Sequence, residues 1–268
     1  LSRLGTGGMG NVYRARPVHR AQHAPHSTGD SQPRVILLAE ELQLQDPLPG
    51  EVAIKTIHPH LLEGGEDVEE VSPEEALARF EGEARLGTEV RSANVVRTFA
   101  IGRGITEGRT HPLLVMEYVS GRTLRALVDG HVSVPEELLR SIARQLAHGL
   151  SAIHGCNAIH RDLKPENLII TEGPEPAVMI MDLGIAHLAD RAARLTQPGL
   201  FMGSLAYAAP EQFDGGSPDH RVDFFALGIV LYELATGMHP FDGRAAITTL
   251  RGRSRAAPPR IRDRNERI

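Results

Sequence analysis

The strongest constraint on this chain is an ordered polar segment, His160–Asn167, which reads His-Arg-Asp-Leu-Lys-Pro-Glu-Asn. Two short apolar runs follow it, Leu168–Ile170 and Val178–Met181, and they predict a β-hairpin that turns at Gly173-Pro174. Asp182-Leu183-Gly184 comes directly after that hairpin. Any single Asp or Asn in this set has an ordinary explanation as a turn or cap residue. The ordered set as a whole exceeds what turns require, so it indicates a functional site.

The side chains in this segment are those that phosphoryl transfer requires. Transfer needs a carboxylate that orients the attacking hydroxyl and takes its proton, and Asp162 supplies one. It also needs oxygen ligands for a divalent metal ion, supplied by Asn167 and Asp182, and a cation near the transferring group, supplied by Lys164. The sequence therefore predicts Asp162 and Lys164 as catalytic residues, with Asn167 and Asp182 as metal ligands.

A glycine-rich turn lies near the N-terminus, where the chain reads Gly5-Thr6-Gly7-Gly8-Met9-Gly10. Glycines let the backbone approach phosphate groups closely while its amides donate hydrogen bonds. Dinucleotide-binding folds share this spacing, but there the turn opens a helix, whereas Asn11-Val12-Tyr13 predicts a strand. Taken alone, the motif fits a nucleotide site and an ordinary glycine turn equally well.

A lysine and a glutamate form the next candidate pair. Lys55 ends a short β-branched strand, Val-Ala-Ile-Lys, and Glu83 lies on a helix that begins with the capping pattern Ser72-Pro73-Glu74-Glu75. A lysine held by a carboxylate is suited to binding the α- and β-phosphates of a nucleotide. The alternative is a surface lysine whose aliphatic stem covers apolar neighbours.

The remaining pattern divides the chain into a strand-rich and a helix-rich part, which meet near residue 119. Leu113–Val119 predicts a strand, Ser133–Gly155 a capped amphipathic helix, and Val222–Gly237 a buried helix. Residues 17–50 are rich in His and Pro around one apolar patch, Val35–Ala39, which predicts an insertion with one added strand. The spacing of its histidines fits no metal-ligand pattern.

The composition narrows the kind of protein. Apolar residues make up 41% of the 268 residues, enough for one large domain or two lobes around a cleft. The net charge of −5 argues against nucleic acid as a partner, and Cys156, the only cysteine, leaves no internal disulfide. No apolar signal sequence follows Leu1, and the longest apolar stretch is shorter than the roughly 20 residues that span a bilayer. We therefore expect a cytoplasmic chain without a membrane segment.

Together the motifs resemble those of the bacterial eukaryotic-type, or Hanks-type, serine/threonine protein kinases, from residue 1 to about residue 241. The resemblance implies an α+β bilobal fold, with a β-rich N-lobe at 1–116, a hinge at 117–121, an α-helical C-lobe at 122–268 and ATP in the cleft between the lobes. It implies transfer of the γ-phosphoryl group of ATP to protein Ser or Thr hydroxyls, including the chain's own activation segment. The implied metal is Mg²⁺, with Mn²⁺ as a substitute, and the implied location is the cytoplasm, including as the cytoplasmic domain of a longer, membrane-anchored protein.

The resemblance also assigns residues to ATP. It implies that Lys55 and Glu83 form an ion pair that bridges the lobes, that Met116 is the gatekeeper, and that Glu117, Tyr118 and Val119 face adenine. The resemblance implies that the phosphates are covered by Gly5, Thr6, Gly7, Gly8, Met9, Gly10, Asn11 and Val12. It implies that Leu4 also binds the nucleotide.

Further roles concern the protein substrate and its control. Lys164 indicates Ser/Thr specificity, and the activation segment runs from Asp182 to Glu211. Thr196 is the candidate phosphorylated residue, with a plain loop threonine as the alternative. The resemblance also implies that Ser204 bonds Asp162 and Lys164, that Arg161 couples activity to phosphorylation, and that Asp223 begins a helix supporting the catalytic loop.

Some residues depart from the family pattern. Leu183 stands where relatives have phenylalanine, and Gly87 stands where they place an apolar residue, which predicts weaker packing if a cavity is left. Both ends look clipped, and the arginine that pairs with Glu211 is not recognisable. A pseudokinase that acts as a scaffold or nucleotide sensor is therefore the main alternative. A small-molecule phosphotransferase is disfavoured, because Ala209-Pro210-Glu211 is typical of kinases with protein substrates.

Overall fold

The computed structural model describes residues 2–6, 10–16, 36–37, 48–58, 61, 72–106, 109–130, 134–183, 206–213, 218–241 and 258–265. The chain divides into two compact units: unit one is Leu1–Thr88 with Arg97–Tyr118, and unit two is Glu89–Val96 with Val119–Ile268. Strands dominate unit one and helices unit two, which confirms the predicted α+β organisation. Several predicted features lie outside the described residues: Gly7–Met9, Gly184, Thr196, Ser204 and most of the 17–50 insertion.

Unit one contains a six-stranded antiparallel sheet. Its strands are β1 (Ser2–Thr6), β2 (Gly10–Ala15), β3 (Ile36–Leu37), β4 (Val52–Ile57), β5 (Thr98–Thr106) and β6 (Arg109–Glu117), in the spatial order β1-β2-β4-β6-β5-β3. β4 is buried along its whole length between β2 and β6, as its β-branched residues predict. The short β3 lies in the apolar patch that predicts an added strand. The sequence does not predict β5, because Gly102 and Gly104 interrupt its pattern; its long pairing with β6 stabilises it.

Helix α1 (Pro73–Glu89) packs on this sheet. Ser72 caps it as predicted, because its Oγ accepts a hydrogen bond from the Glu75 amide at 3.2 Å. Phe80 and Ala84 pack on Ile57 of β4 and Leu114 of β6 in one buried cluster. This apolar face fixes α1 against the two central strands.

In its described residues, unit two combines a small sheet with three helices. The strands β7 (Gly121–Thr123), β8 (Leu168–Thr171) and β9 (Val178–Ile180) pair in that order, and β8 with β9 is the predicted hairpin. The helices are α2 (Leu124–Asp129), α3 (Glu136–Gly155) and α4 (Arg221–Thr236). Single 3-10 turns occur at Pro165–Asn167, Pro210–Phe213 and Ile261–Asp263.

The two long helices of unit two differ in their ends. The N-cap residue of α3 is Pro135, which makes no side-chain cap bond, and Ser133, where the predicted capping pattern begins, lies outside the described residues. α4 ends where predicted: Gly237 adopts a left-handed φ of 70° and its amide donates to Glu233 O at 2.7 Å. Among the described residues, no helix combines the length and apolar character needed to cross a membrane.

The segment Glu89–Val96 lies within the range predicted for the N-lobe but belongs to unit two. The Asn94 side-chain amide donates to Val178 O at 2.9 Å and to Gln145 Oε1 at 3.1 Å. The backbone pairs with β9 through Val96 N to Ile180 O at 2.8 Å and Ile180 N to Asn94 O at 2.9 Å. The chain therefore passes from one unit to the other three times, after Thr88, after Val96 and after Tyr118.

Candidate active site

The predicted lysine–glutamate pair is present in unit one. Lys55 lies in β4, opposite Val12 of β2 and Leu114 of β6, and its Nζ lies 2.7 Å and 3.0 Å from the two carboxylate oxygens of Glu83 on α1. The two side chains are only 10% and 13% exposed. Burying an ion pair costs desolvation free energy and is weak evidence for a purely stabilising role. A buried cation held in place by a carboxylate is suited to binding phosphate.

The two glycines that flank the undescribed turn have different surroundings. β1 and β2 pair with Gly5 opposite Val12 and Thr6 opposite Asn11, so residues 7–9 connect them. A Cβ on Gly10 would lie 1.6 Å from Thr56 O, so the close approach of β2 to β4 requires glycine there. No described residue lies within 4 Å of a Cβ placed on Gly5. Glycine is therefore required by packing at position 10, whereas no described neighbour requires it at position 5.

The predicted hinge residues follow β6. Met116 is buried and pairs with Ala53 of β4 and Thr98 of β5, and Glu117 exchanges backbone and side-chain hydrogen bonds with Arg97. Leu4, by contrast, is 48% exposed on β1, and Val119, at the start of the second segment of unit two, is half-buried.

Sequence reasoning missed an arginine beside this hinge. The Arg14 guanidinium lies 4.6 Å from the centroid of the Tyr118 ring. Glu51 holds it through a bidentate contact, with Oε1 and Oε2 at 2.7 Å and 2.8 Å from Nη2, and Arg16 Nε lies 3.0 Å from the same Oε1. Hydrogen bonds from Arg14 and Arg16 lower the pKa of the Glu51 carboxyl.

In unit two, the predicted catalytic residues lie together. Asp162 Oδ2 accepts hydrogen bonds from Lys164 Nζ at 2.8 Å and from Asn167 Nδ2 at 3.1 Å. Asn167 Nδ2 also donates to the backbone oxygen of Asp162 at 2.9 Å. One carboxylate oxygen is thus fixed by two donors, which orients the whole Asp162 side chain.

Asp223 on α4 supports this loop through hydrogen bonds, as predicted. It is 1% exposed and accepts hydrogen bonds from the amides of His160 at 2.9 Å and Arg161 at 2.8 Å, and from His154 Nε2 at 2.8 Å. Arg161 has a φ of 64°, a left-handed conformation that costs free energy in a non-glycine residue. The hydrogen bonds to Asp223 maintain that conformation.

His160 connects the loop to the residues before Asp182. Its ring is fully buried, with Nδ1 accepting from the Asp162 amide at 3.3 Å and Nε2 donating to Met181 O at 3.1 Å. The Met181 amide in turn donates to Asn167 O at 2.9 Å. Through this hydrogen bond, the backbone places Asp182, whose φ is 55°, next to Asn167, the residue that precedes β8.

The donor set fits a metal ion that is shared with phosphates. Because Asn167 Nδ2 donates to Asp162, Oδ1 is the Asn167 side-chain atom suited to a cation, and the carboxylate of Asp182 offers further oxygen donors. In the described part of the chain, no cluster of three or more His, Cys, Asp or Glu residues forms a closed metal site. Two oxygen donors suit Mg²⁺, which is commonly bound through one or two carboxylates together with phosphates and water.

A second network in unit two was also missed. Arg125 on α2 contacts Glu166 at 2.9 Å and Glu233 on α4 at 3.1 Å, and it donates to the Tyr207 hydroxyl, which in turn donates to Glu233. Burial and the adjacent Glu233 carboxylate raise the pKa of the Tyr207 phenol. The signal in the sequence was Glu233, a charge inside an apolar helix. Nearby, Glu211 is exposed, so its carboxylate is solvated.

The expected packing defect at Gly87 is not found. A Cβ on this buried glycine would lie 2.1 Å from Thr98 Oγ1 and 2.9 Å from Thr98 Cβ. The Thr98 side chain thus occupies the space beside Gly87, and the predicted cavity at this point is wrong.

Comparison with known proteins gives consistent matches. The protein kinase domain model matches residues 50–262, a range that includes Lys55, Glu83, Asp162, Asn167 and Asp182 but not the glycine-rich turn. The chain is 35% identical over 213 residues to the serine/threonine-protein kinase PknA of Corynebacterium glutamicum, covering 79% of this chain and 43% of that protein. It is 36% identical over 194 residues to PknL of Mycobacterium bovis, covering 72% of this chain and 47% of that protein. The chain thus spans less than half the length of these curated relatives.

A solved structure shows the same fold. A crystal structure of a variant of the Mycobacterium tuberculosis PknI kinase domain superposes with a TM-score of 0.60, covering 99% of this chain and 80% of that one at 20% sequence identity. At this identity the likeness describes the fold alone.

Proposed function

This chain belongs to the protein kinase domain family, in its bacterial Hanks-type serine/threonine branch, and on that premise we propose that it transfers the γ-phosphoryl group of ATP to Ser and Thr hydroxyls of proteins. The family uses ATP and a divalent metal ion. The observation that carries the proposal is the contact set of Asp162 with Lys164 and Asn167. It brings a carboxylate, an ammonium and a carboxamide together on one short loop, which supports their proposed roles as base, cation and metal ligand.

The proposed step is an in-line transfer. Asp162 orients the substrate hydroxyl and accepts its proton, while the hydroxyl oxygen forms the new bond to the γ-phosphorus. The bond between that phosphorus and the β,γ-bridging oxygen breaks, and its electron pair leaves with ADP. Lys164, 2.8 Å from Asp162, offsets the negative charge on the transferring group.

We assign Asn167 and Asp182 to the metal ion and propose Mg²⁺, with Mn²⁺ as a substitute. When bound, the ion offsets phosphate charge and orients the leaving group. Asn167 is prepared for this role because Asp162 fixes its amide nitrogen.

The ATP-binding residues of unit one complete the proposal. Lys55, held by Glu83, binds the α- and β-phosphates, and the glycine-rich turn covers them. Met116, Glu117 and Val119 face the adenine. Support comes from the low exposure of the Lys55–Glu83 pair and from Gly5, where no described neighbour requires glycine.

The test uses the chain with Mg²⁺, γ-labelled ATP and a protein rich in Ser and Thr such as casein. Wild type is expected to label Ser and Thr, and Asp162→Asn to lose transfer by at least about 100-fold because it lacks the proton acceptor. Lys55→Met should lose transfer while sparing the fold. Phosphosite mapping after autophosphorylation tests Thr196 in the same samples.

One result would replace this proposal. If wild type binds ATP but labels protein no better than Asp162→Asn does, the chain is a nucleotide-binding scaffold. Label on tyrosine alone would contradict the Ser/Thr assignment, and failure of Mg²⁺ where Mn²⁺ succeeds would contradict the metal assignment.

A further inference from the structure

His239 lies three residues beyond the end of α4 and contacts two backbone carbonyl groups. Its Nε2 lies 3.0 Å from Ala206 O, and its Nδ1 lies 2.9 Å from Phe241 O. The Tyr207 ring stands nearly perpendicular to the imidazole, with 5.5 Å between the ring centroids. The imidazole therefore bridges the segment that begins at Ala206 and the chain that follows α4.

The two carbonyl contacts have a requirement that a neutral imidazole does not meet. A carbonyl oxygen only accepts, so each contact needs an N–H on the ring nitrogen that faces it. A neutral ring has one N–H, whereas an imidazolium has two. Nδ1 also lies 3.2 Å from the Phe241 amide, a hydrogen bond that the neutral ring accepts. His239 therefore donates to Ala206 O and Phe241 O together only when it is charged.

The titratable and charged groups around the ring come from three described elements. Tyr207 is in contact with it, and the Tyr207 hydroxyl bonds Glu233 of α4 and Arg125 of α2. Arg125 also contacts Glu166 and, at 3.8 Å, Asp129. Carboxylates thus outnumber the guanidinium in this network, which favours a positive charge on the neighbouring imidazole.

The segment 206–212, which His239 contacts at its first residue, is also fixed to the catalytic loop. Gln212 Nε2 donates to Arg161 O at 3.3 Å. The Tyr207 hydroxyl and the Glu166 carboxylate share one guanidinium partner. Arg161 and Glu166 lie on either side of Asp162 in the sequence. Contacts along this segment therefore determine where it lies relative to the proposed base.

We propose that His239 is a positioning residue for the protein substrate, which holds the segment 206–212 most firmly when it is an imidazolium. This role rests on the proposed transfer to Ser and Thr hydroxyls by Asp162. A substrate chain that presents a hydroxyl to Asp162 packs beside this segment, so loosening residue 206 weakens substrate binding and leaves ATP binding unchanged.

The strength of the bridge depends on pH. A charge-assisted hydrogen bond is about twice as strong as a neutral one. Histidine side chains lose their proton between about pH 5 and pH 8. The bridge is therefore strongest at the lower end of this range and weakens as the pH rises.

Steady-state kinetics with casein at about pH 6 and about pH 8 test this role. The wild-type KM for casein is expected to be about three- to tenfold lower at the lower pH, the difference between a charged and a neutral hydrogen bond. His239→Gln keeps a neutral donor for Ala206 O, so its KM should stay near the wild-type value at the higher pH. His239→Arg is charged throughout, so its KM should stay low. KM for ATP should be alike in all three proteins.

His148→Gln is the matched control, because it makes the same change at an exposed histidine of α3. It should keep the wild-type ratio of the two KM values. Because every protein is assayed with the same casein at the same pH, effects of pH on the substrate cancel between variants.

Hydrogen exchange reports on the segment without phosphoryl transfer. The Ala209 amide donates to Gln212 Oε1 at 2.8 Å, and the Gln212 amide donates to Ala209 O at 3.0 Å. The protection of these amides, corrected for the intrinsic exchange rate at each pH, measures how firmly the segment is held. Protection should fall several-fold from the lower to the higher pH in wild type and stay constant in both His239 variants.

Each other outcome overturns the proposal. A wild-type KM ratio no larger than that of His239→Gln does so, as does a change in KM for ATP that equals the change for casein. If His239→Gln does not fold, His239→Arg must still abolish the pH dependence, and its failure to do so contradicts the role. Protection that responds to pH only in wild type, in a chain that labels no protein, would retain the bridge and reject the kinase activity. Normal transfer with pH-independent KM and protection would do the reverse.

Discussion

At the scale of single residues, the buried carboxylate of Asp223 organises the loop that carries Asp162. Its two oxygens accept from the amides of His160 and Arg161 and from His154. Asp223→Asn places an amide nitrogen, which only donates, against at least one of these donors. We expect a loss of about 2–4 kcal/mol in the free energy of unfolding and a larger fractional loss of transfer, because the left-handed Arg161 is released.

Urea denaturation with activity on the same samples measures this effect. Asp219→Asn is the control, since Asp219 is an exposed carboxylate four residues earlier and its loss should cost less than about 1 kcal/mol. Equal effects of the two substitutions would contradict the role given to Asp223.

Two glycines of the turn should respond differently to alanine. Gly10→Ala forces a Cβ into the Thr56 carbonyl, so we expect destabilisation by about 1–3 kcal/mol or more. Gly5→Ala meets no described residue within 4 Å, so it should preserve the thermal midpoint and change KM for ATP instead. Differential scanning fluorimetry and ATP titration separate the two effects, and a lower midpoint in Gly5→Ala would show that a neighbour requires glycine at position 5.

At this scale, the sequence predicts the role of a residue when its type and its place in a motif identify its chemistry. Asp162, Lys164 and Asn167 are adjacent in the sequence and in the structure. The roles of Arg14 and Arg125 were not predicted, because the sequence around an arginine on a strand or short helix does not indicate which distant residues it contacts. Gly87 was interpreted as a loss, because the sequence does not show that Thr98 fills the space.

At the scale of elements, β2 and β4 are joined to the hinge through Arg14. Glu51 precedes β4 and fixes the Arg14 guanidinium over the Tyr118 ring. A cation–π contact at an exposed site is worth about 0.5–1 kcal/mol, so Arg14→Gln should raise KM for ATP about two- to fivefold with little change in kcat.

Arg16→Gln is the matched control for that prediction. Arg16 also contacts Glu51, at 3.0 Å, but its side chain is 77% exposed. Steady-state kinetics at varied ATP should show a smaller effect for Arg16→Gln than for Arg14→Gln. A change confined to kcat in Arg14→Gln would exclude a role in nucleotide binding.

Helices and strands whose own sequence shows a full hydrophobic period were predicted well. Those that depend on pairing with distant segments were not. α1, α4 and the β8–β9 hairpin have clear caps, apolar stripes or turn residues. β5 contains two glycines and exists through its pairing with β6, while α2 and β7 are too short to show a period. The N-cap residue of α3 is Pro135, whose fixed φ suits a helix start.

At the scale of the whole molecule, the Arg125–Glu233–Tyr207 network links stability to pH. Burial raises the pKa of Tyr207, so the folded chain holds the phenolic proton more tightly than the unfolded chain does. This stability is complete below the unfolded pKa of about 10 and is lost as pH rises beyond it, by up to about 1.4 kcal/mol per pH unit.

Tyr207→Phe removes this titration. Urea denaturation between about pH 9 and pH 11 should therefore give a shallower decline for the variant than for wild type, from a lower starting stability because the hydrogen bond to Glu233 is lost. If the free energy of unfolding declines with pH equally steeply in wild type and variant, Tyr207 ionises alike in the folded and unfolded states.

The order of a β-rich and a helical part was predictable because strand and helix patterns cluster on either side of residue 119. The boundary between the two units was not predictable. Glu89–Val96 contains no pattern that assigns it to unit two, and its placement depends on Val178 and Ile180, more than eighty residues away. Local sequence carries no information about such distant partners.

The three passages of the backbone between the units have a consequence for dissection of the molecule. A single proteolytic cut after Tyr118 gives two fragments, but the first still contributes Asn94 and Val96 to the β9 edge of the second unit. The nicked protein should therefore stay associated under native conditions and part only in denaturant, as in fragment complementation. Neither half can be exchanged between related chains as a contiguous cassette without also matching those eight residues to their new host.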